Sequence, residues 1–129
     1  MTNEVSENQI YLALAGDIEI HREDPEKVFD LILPELNKAD IRFGGLEASM
    51  SEKGTATTGK ITMRHHPDMI EGYIAGGFDT VAFASNHCMD YGLEPFVETM
   101  ELLEKRGIAF SGSGRDIAEA RTPVIIERK

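Results

Sequence analysis

Five short apolar runs, separated by stretches with helical punctuation, set the narrowest limit on what this chain can become. Ile10–Ala15, Ile41–Leu46, Thr80–Ala84, Ile108–Phe110 and Val124–Glu127 are too short for buried helices, and they read as strands. After the first, Pro25 opens a helical pattern with Asp24 as its N-cap. Val28, Leu31, Ile32 and Leu36 share one face of it, and Pro34 predicts a kink or a break. Pro67 opens a second helix with Met69, Ile70, Tyr73 and Ile74 on its apolar side, ended by Gly76-Gly77. Glu94–Arg106 is the clearest helix: Phe96, Val97, Met100, Leu102 and Leu103 are its apolar residues and Gly107 its stop. Asp116–Ala120 reads as one helical turn. Parallel strands need crossovers of about this length, so the alternation predicts an α/β fold, a mostly parallel sheet with flanking helices.

The 129 residues suffice for one domain. Residues 1–9 read as a disordered tail and 10–129 as the folded part; 48–66, rich in Gly, Ser and Thr, reads mostly as loop. The net charge of −10 disfavours nucleic acid and anionic membranes as partners. It leaves room for an anionic substrate at a metal site, where the ions bring the positive charge. A single cysteine, Cys88, excludes an internal disulfide. The acidic, polar start lacks the pattern of a signal peptide and no run is long enough to span a bilayer, so the chain as it stands reads as cytoplasmic.

The chemistry-bearing residues lie just past strand ends: Asp17 after the first run, Glu47 after the second, Asn86 and His87 after the third. Ligands of parallel α/β sheets gather at that edge. Carboxylate oxygens, an amide carbonyl and an imidazole nitrogen together suit a divalent cation. Each has a plainer reading. Gly16-Asp17 is also an ordinary turn, Glu47 a solvated strand end, Asn86-His87 a turn, and Asp90 a cap for the helix beginning near Leu93. Glu19 falls on the same side as Asp17 in extended backbone, so it either borders the site or faces water. His65 and His66, just before Pro67, read as surface residues. Cys88 beside His87 reads as no nucleophile, because adjacent residues seldom face each other.

In combination the segments are far more specific. Ala13-Leu14-Ala15-Gly16-Asp17 resembles the opening strand of the CapA family, bacterial capsule and poly-γ-glutamate synthesis proteins related to calcineurin-like metallophosphatases. Ala39-Asp40-Ile41-Arg42-Phe43-Gly44-Gly45-Leu46-Glu47 resembles that family's segment ending in Asn-Leu-Glu. Gly77-Phe78-Asp79, followed by Asn86-His87 and Asp90-Tyr91-Gly92, resembles its Gly-Phe-Asp and Asn-Asn-His segments. Thr99 to Gly114, and Glu119-Ala120-Arg121-Thr122-Pro123, continue the match, so that it covers roughly residues 10–127.

The resemblance implies half of a metallophosphatase-like αββα sandwich. It implies Asp17, Glu47 and Asn86 as ligands to one or two divalent ions (Mn, Zn, Fe or Mg). His87 would be the group that contacts substrate and acts as general acid, with Glu19 and Asp90 in supporting positions. Two cations lower the pKa of a bound water and stabilise attacking and leaving oxygens, and an imidazole exchanges a proton near neutral pH. The implied substrate is a phosphoester or poly-γ-glutamate; the alternative is a non-catalytic module that binds an anionic polymer or a partner chain. Two positions depart from the family: Gly45 stands in place of Asn, and Glu19 in place of an apolar residue. CapA-like domains are also longer, with histidine-bearing segments that are absent here. The expectation is therefore an N-terminal half-site with weak metal binding and little turnover alone, and an uncovered sheet face that a homodimer would bury.

Overall fold

A computed structural model describes residues 9–128, so most of the expected N-terminal tail lies outside the described residues. Four strands, β1 (Leu12–Ile18), β2 (Ile41–Leu46), β3 (Thr80–Ala82) and β4 (Ala109–Ser111), form one sheet in the order β1-β2-β3-β4, and every pairing is parallel. The helices α1 (Leu33–Leu36), α2 (Ile70–Ala75) and α3 (Leu93–Arg106) lie in the connections, and α4 (Ile117–Ala120) follows β4. The α/β fold with flanking helices is thus as the alternation predicts.

The longest helix follows its sequence signals within a residue. Gly107 ends α3 in the left-handed region (φ 73°), with Lys105 and Arg106 in the last turn. Its inward face buries Phe96, Thr99, Met100 and Leu103, and Phe96 stacks on Phe83 with ring centroids 5.2 Å apart. Burial of each large apolar side chain contributes about 1.5–3 kcal/mol, so α3 and the β3–β4 side anchor the core. Tyr73 and Phe78 extend it beneath β2, and Gly72 lets α2 approach closely: a Cβ there would lie 2.6 Å from Ile20 Cδ1 and 2.9 Å from the Pro25 carbonyl. Arg42, on β2, ties two helix ends to the sheet. Its guanidinium donates to the carbonyls of Leu36 (2.8 Å) and Gly76 (2.9 Å).

Several expectations are corrected. β1 runs through Gly16-Asp17 to Ile18, because a register irregularity between Leu14 and Asp17 lets pairing with β2 resume. The helix expected from Pro25 is only a 3₁₀ turn (Pro25–Lys27), and α1 begins anew with Pro34 in its first turn, where a missing N–H costs nothing. Asp24 makes no cap; its carboxylate accepts from Arg22 Nε at 2.6 Å. Leu31 is 97% exposed and lies on no buried face. Val124–Glu127 adds no fifth strand: Arg128 holds that segment by its side chain, donating to the Asp40 carbonyl and to Asp79 Oδ1.

The outer edge of β1 is thinly covered. Leu12 and Leu14 are 51% and 72% exposed, and a groove of about 440 Å³ runs between this strand and α1. Among the described residues no helix is long and apolar enough to cross a membrane.

Candidate functional site

Where β1 and β2 end, their last paired residues, Asp17 with Gly45 and Ile18 with Leu46, bring the two chain exits side by side. The chain after β2 continues extended and buried through Ala48, Ser49, Met50 and Ser51. It is held on one side by a bridge from Ala48 to His87 and on the other by a bridge from Met50 to His65. The expected loop 48–66 is therefore in part an ordered rail between two histidine-bearing segments. Side-chain hydroxyls lock it: Ser85 Oγ donates to the Glu47 carbonyl, and Ser49 Oγ to the Cys88 carbonyl at 2.5 Å.

Tyr73 stands under this edge. Its buried hydroxyl donates to the carbonyls of Ile18 (3.1 Å) and Gly45 (3.3 Å). Its ionisation is pushed far above the ordinary phenol range, first by burial and then by the negative charges of Glu19, Asp17 and Glu47. Three carboxylates thus leave the neighbouring ends of β1 and β2. Among the described residues no Lys or Arg pairs with any of them; their partners are histidines, with His21 and His65 near Glu19 and His87 near Glu47. Such a patch of uncompensated negative charge is what cations neutralise.

His87 stands between two carboxylates. Its Nδ1 lies 2.6 Å from Asp90 Oδ2, and its Nε2 stands 3.9 Å from Glu47 Oε1. Asp90 is buried, which alone would raise its pKa. Hydrogen bonds from Lys60, His87 and the Met63 N–H outweigh that and bring it down to about 2. A fixed carboxylate on one imidazole nitrogen sets the tautomer and turns the other toward the site. Asp90 therefore does not cap α3; Gly92 occupies that position without a side-chain bond.

The other sequence-derived candidates divide. Asp17 sits over Gly45, where an added Cβ would come within 2.8 Å of Asp17 Oδ1. The glycine that replaces the family Asn thus leaves room for the carboxylate. Glu19 is 27% exposed, with its carboxylate 2.8 Å from His21 Nε2 and 3.5 Å from His65 Nε2. Asn86 is exposed, and Lys60 Nζ takes its backbone carbonyl at 2.6 Å, while its side chain makes no hydrogen bond among the described residues. Cys88 is half-buried and burial pushes its thiol up, so it is poorly suited to act as a nucleophile.

Sequence reasoning missed three residues. His65 is fully buried where a surface position was expected; His66 is exposed as expected. His21 shares the alternating side with Glu19, and that spacing was the one available signal. Lys60 reaches Asp90 Oδ1 at 2.5 Å from a stretch with no local signature. Glu19, His21 and His65 place a carboxylate oxygen and two ring nitrogens within 4.8 Å of one another, a donor set able to hold a metal ion.

Comparison with known proteins agrees with the segments at this edge. The family model described as bacterial capsule synthesis protein PGA_cap matches residues 11–129. An uncharacterized protein of Sinorhizobium fredii is 31% identical over 105 residues, 77% of this chain and 23% of its own length. A probable polyglutamine synthesis accessory protein of Mycobacterium tuberculosis is 28% identical over 97 residues, 74% of this chain and 26% of its own. The chain spans about a quarter of the length of the curated relatives it matches. With residues 11–129 covered by one family model, this chain belongs to the PGA_cap family of bacterial capsule synthesis proteins.

Proposed function

We propose that this chain contributes the carboxylate side of a metal-dependent hydrolytic site that acts on an anionic substrate in capsule synthesis, of the poly-γ-glutamate or phosphoester class. The observation that carries the reading is that Asp17 and Glu47 leave the paired ends of β1 and β2 with no Lys or Arg partner among the described residues, Glu47 standing 3.9 Å from His87 Nε2. The donor set fits divalent ions: the Asp17 and Glu47 carboxylates supply hard oxygens at adjoining strand ends. Asp17 and Glu47 would hold the metal, with Asn86 able to add its amide oxygen. Bound there, divalent ions would supply charge neutralisation for an anionic substrate and activation of water.

The chain's own residues do the rest. His87, with Nδ1 held by Asp90, presents Nε2 toward the Glu47 side, where it can give a proton to a leaving oxygen or nitrogen. Asp90 stabilises the imidazolium form while Lys60 neutralises its second oxygen. Burial of Ser49, Met50 and Ser51 keeps the rail beneath the site dry and rigid.

The test is hydrolysis of poly-γ-glutamate and of a simple phosphomonoester by the natural protein at its full length, with Mn²⁺ or Zn²⁺ added. Asp17→Asn and His87→Ala should each remove metal-dependent turnover; activity untouched by both eliminates this reading. A second reading, a non-catalytic accessory module, draws support from the printed name of the mycobacterial relative and from Asn86, whose side chain is turned to no partner. It predicts retention of the polymer without turnover.

A further inference from the structure

We infer that Glu19, His21 and His65 form a metal site of their own, a two-histidine, one-carboxylate set for a borderline divalent transition ion of the zinc class. The inference does not rest on the hydrolase reading, and none of the three residues is a ligand in the family pattern described above.

The argument begins with His65. Its side chain is fully buried, and its Nδ1 lies 3.2 Å from the Ile20 carbonyl. A carbonyl only accepts, so Nδ1 carries the hydrogen and Nε2 presents a lone pair. Among the described residues that Nε2 has no hydrogen-bond partner, and a carboxylate oxygen, Glu19 Oε2, stands 3.5 Å from it. An ionised carboxylate is also acceptor-only. Two acceptors facing each other repel unless a cation joins them; His21 Nε2, 2.8 Å from the same Glu19 oxygen, serves that oxygen and leaves His65 Nε2 without a donor or acceptor of its own among the described residues. Protonation of His65 is the competing answer. Complete burial of the ring opposes it, because a charged imidazole there would be taken out of water. The remaining Glu19 oxygen, Oε1, is buried and unpartnered as well.

His21 completes the set. Its Nε2 is 2.8 Å from Glu19 Oε2, and its ring stacks on His65 at a centroid distance of 5.2 Å. All three ligand atoms lie within 4.8 Å of one another. Ligands around a tetrahedral zinc, at about 2.0–2.2 Å from the ion, stand roughly 3.3–3.5 Å apart. The Glu19–His65 spacing already matches, and His21, 65% exposed, is free to adjust. The bond from His65 Nδ1 to a backbone carbonyl is the outer contact that metal-bound histidines usually make. Two imidazoles with one carboxylate favour zinc or iron over magnesium or calcium.

The experiment is zinc titration by calorimetry on the tag-free, chelator-treated chain, paired with the visible absorption of added Co²⁺. The expected result is saturable binding with a nitrogen-ligated Co²⁺ spectrum. His21→Ala should weaken it by at least the roughly tenfold that even an outer-shell partner is worth, and His65→Gln should do the same. His65→Gln alters a buried position and so also tests folding; His21→Ala, at an exposed position, carries the test by itself. Absence of saturable binding overturns the inference. So does binding that survives His21→Ala unchanged, or that is lost only in Asp17→Asn, which places the ion with the other carboxylates.

Discussion

The two edges of the one sheet are built differently. Toward β3 and β4 the packing is denser: Val81, Phe83, Met100 and Leu103 are fully buried, and α2 is joined to α3 by the Glu71–Arg106 pair at 2.5 and 2.8 Å. At β1 the strand shows Leu12 and Leu14 to solvent, and the neighbouring α1 is a single turn with no buried residue. The candidate site lies on the seam, where β1 and β2 exit. Its rail and His87 are held from the packed side, while Asp17 and Glu19 come from the open one. A carboxylate cluster with unpaired atoms is costly to hold, and the packed side supplies the rigidity that holds it.

The contrast is sharpest in core truncation. Leu103→Ala should cost about 2–5 kcal/mol in denaturant unfolding, whereas Leu14→Ala should change stability by less than about 0.5 kcal/mol. Equal losses would erase the distinction between the edges. Next in size is Asp90→Asn, which strips one buried loop of its charge partners and should cost about 2 kcal/mol. The same group gives a pH signature. Its folded-state pKa, about 2, lies below the unfolded value, so its contribution is full above roughly pH 4 and is lost as pH falls toward 2. An Asp90→Asn variant whose acid-unfolding midpoint does not move would dismiss the arrangement.

Glu71→Gln should cost less, about 0.5 kcal/mol, because both partners of the α2–α3 pair are partly exposed. Arg106 holds the Glu71 carboxyl below the usual range, so this small term also fades as pH falls through the acid range. High salt should remove most of it, which thermal melts at two ionic strengths would reveal. The smallest effect on folding belongs to Leu14→Lys, within about 0.5 kcal/mol. That variant should nonetheless abolish the self-association expected of an uncovered apolar edge, as followed by light scattering over a concentration series. A wild-type chain that stays monomeric throughout would leave the edge without this role.

Local patterns were legible wherever one element answers to its own residues. β2 has the bounds its apolar run suggests, and α3 starts and stops at its glycines. Patterns misled where a partner intervened. The Gly16-Asp17 pair looks like a turn, yet the pairing with β2 carries β1 past it. Val124–Glu127 has strand composition, but Arg128 clasps it outside any ladder. Asp90 looks like a helix cap, yet His87 and Lys60 claim its oxygens.

The amino-acid order by itself determined the alternation of strand and helix, the parallel sheet it requires, and the placing of Asp17, Glu47 and His87 near strand ends. Those follow from side-chain periodicity and from the reach of a crossover, both local properties. Only the tertiary structure decided that His65 is buried against Glu19 and that Lys60 and His87 share Asp90. Burial and charge pairing depend on which distant segments pack together. Here the bridges from Met50 to His65 and from Ala48 to His87 make that choice, and no periodicity along the chain encodes it.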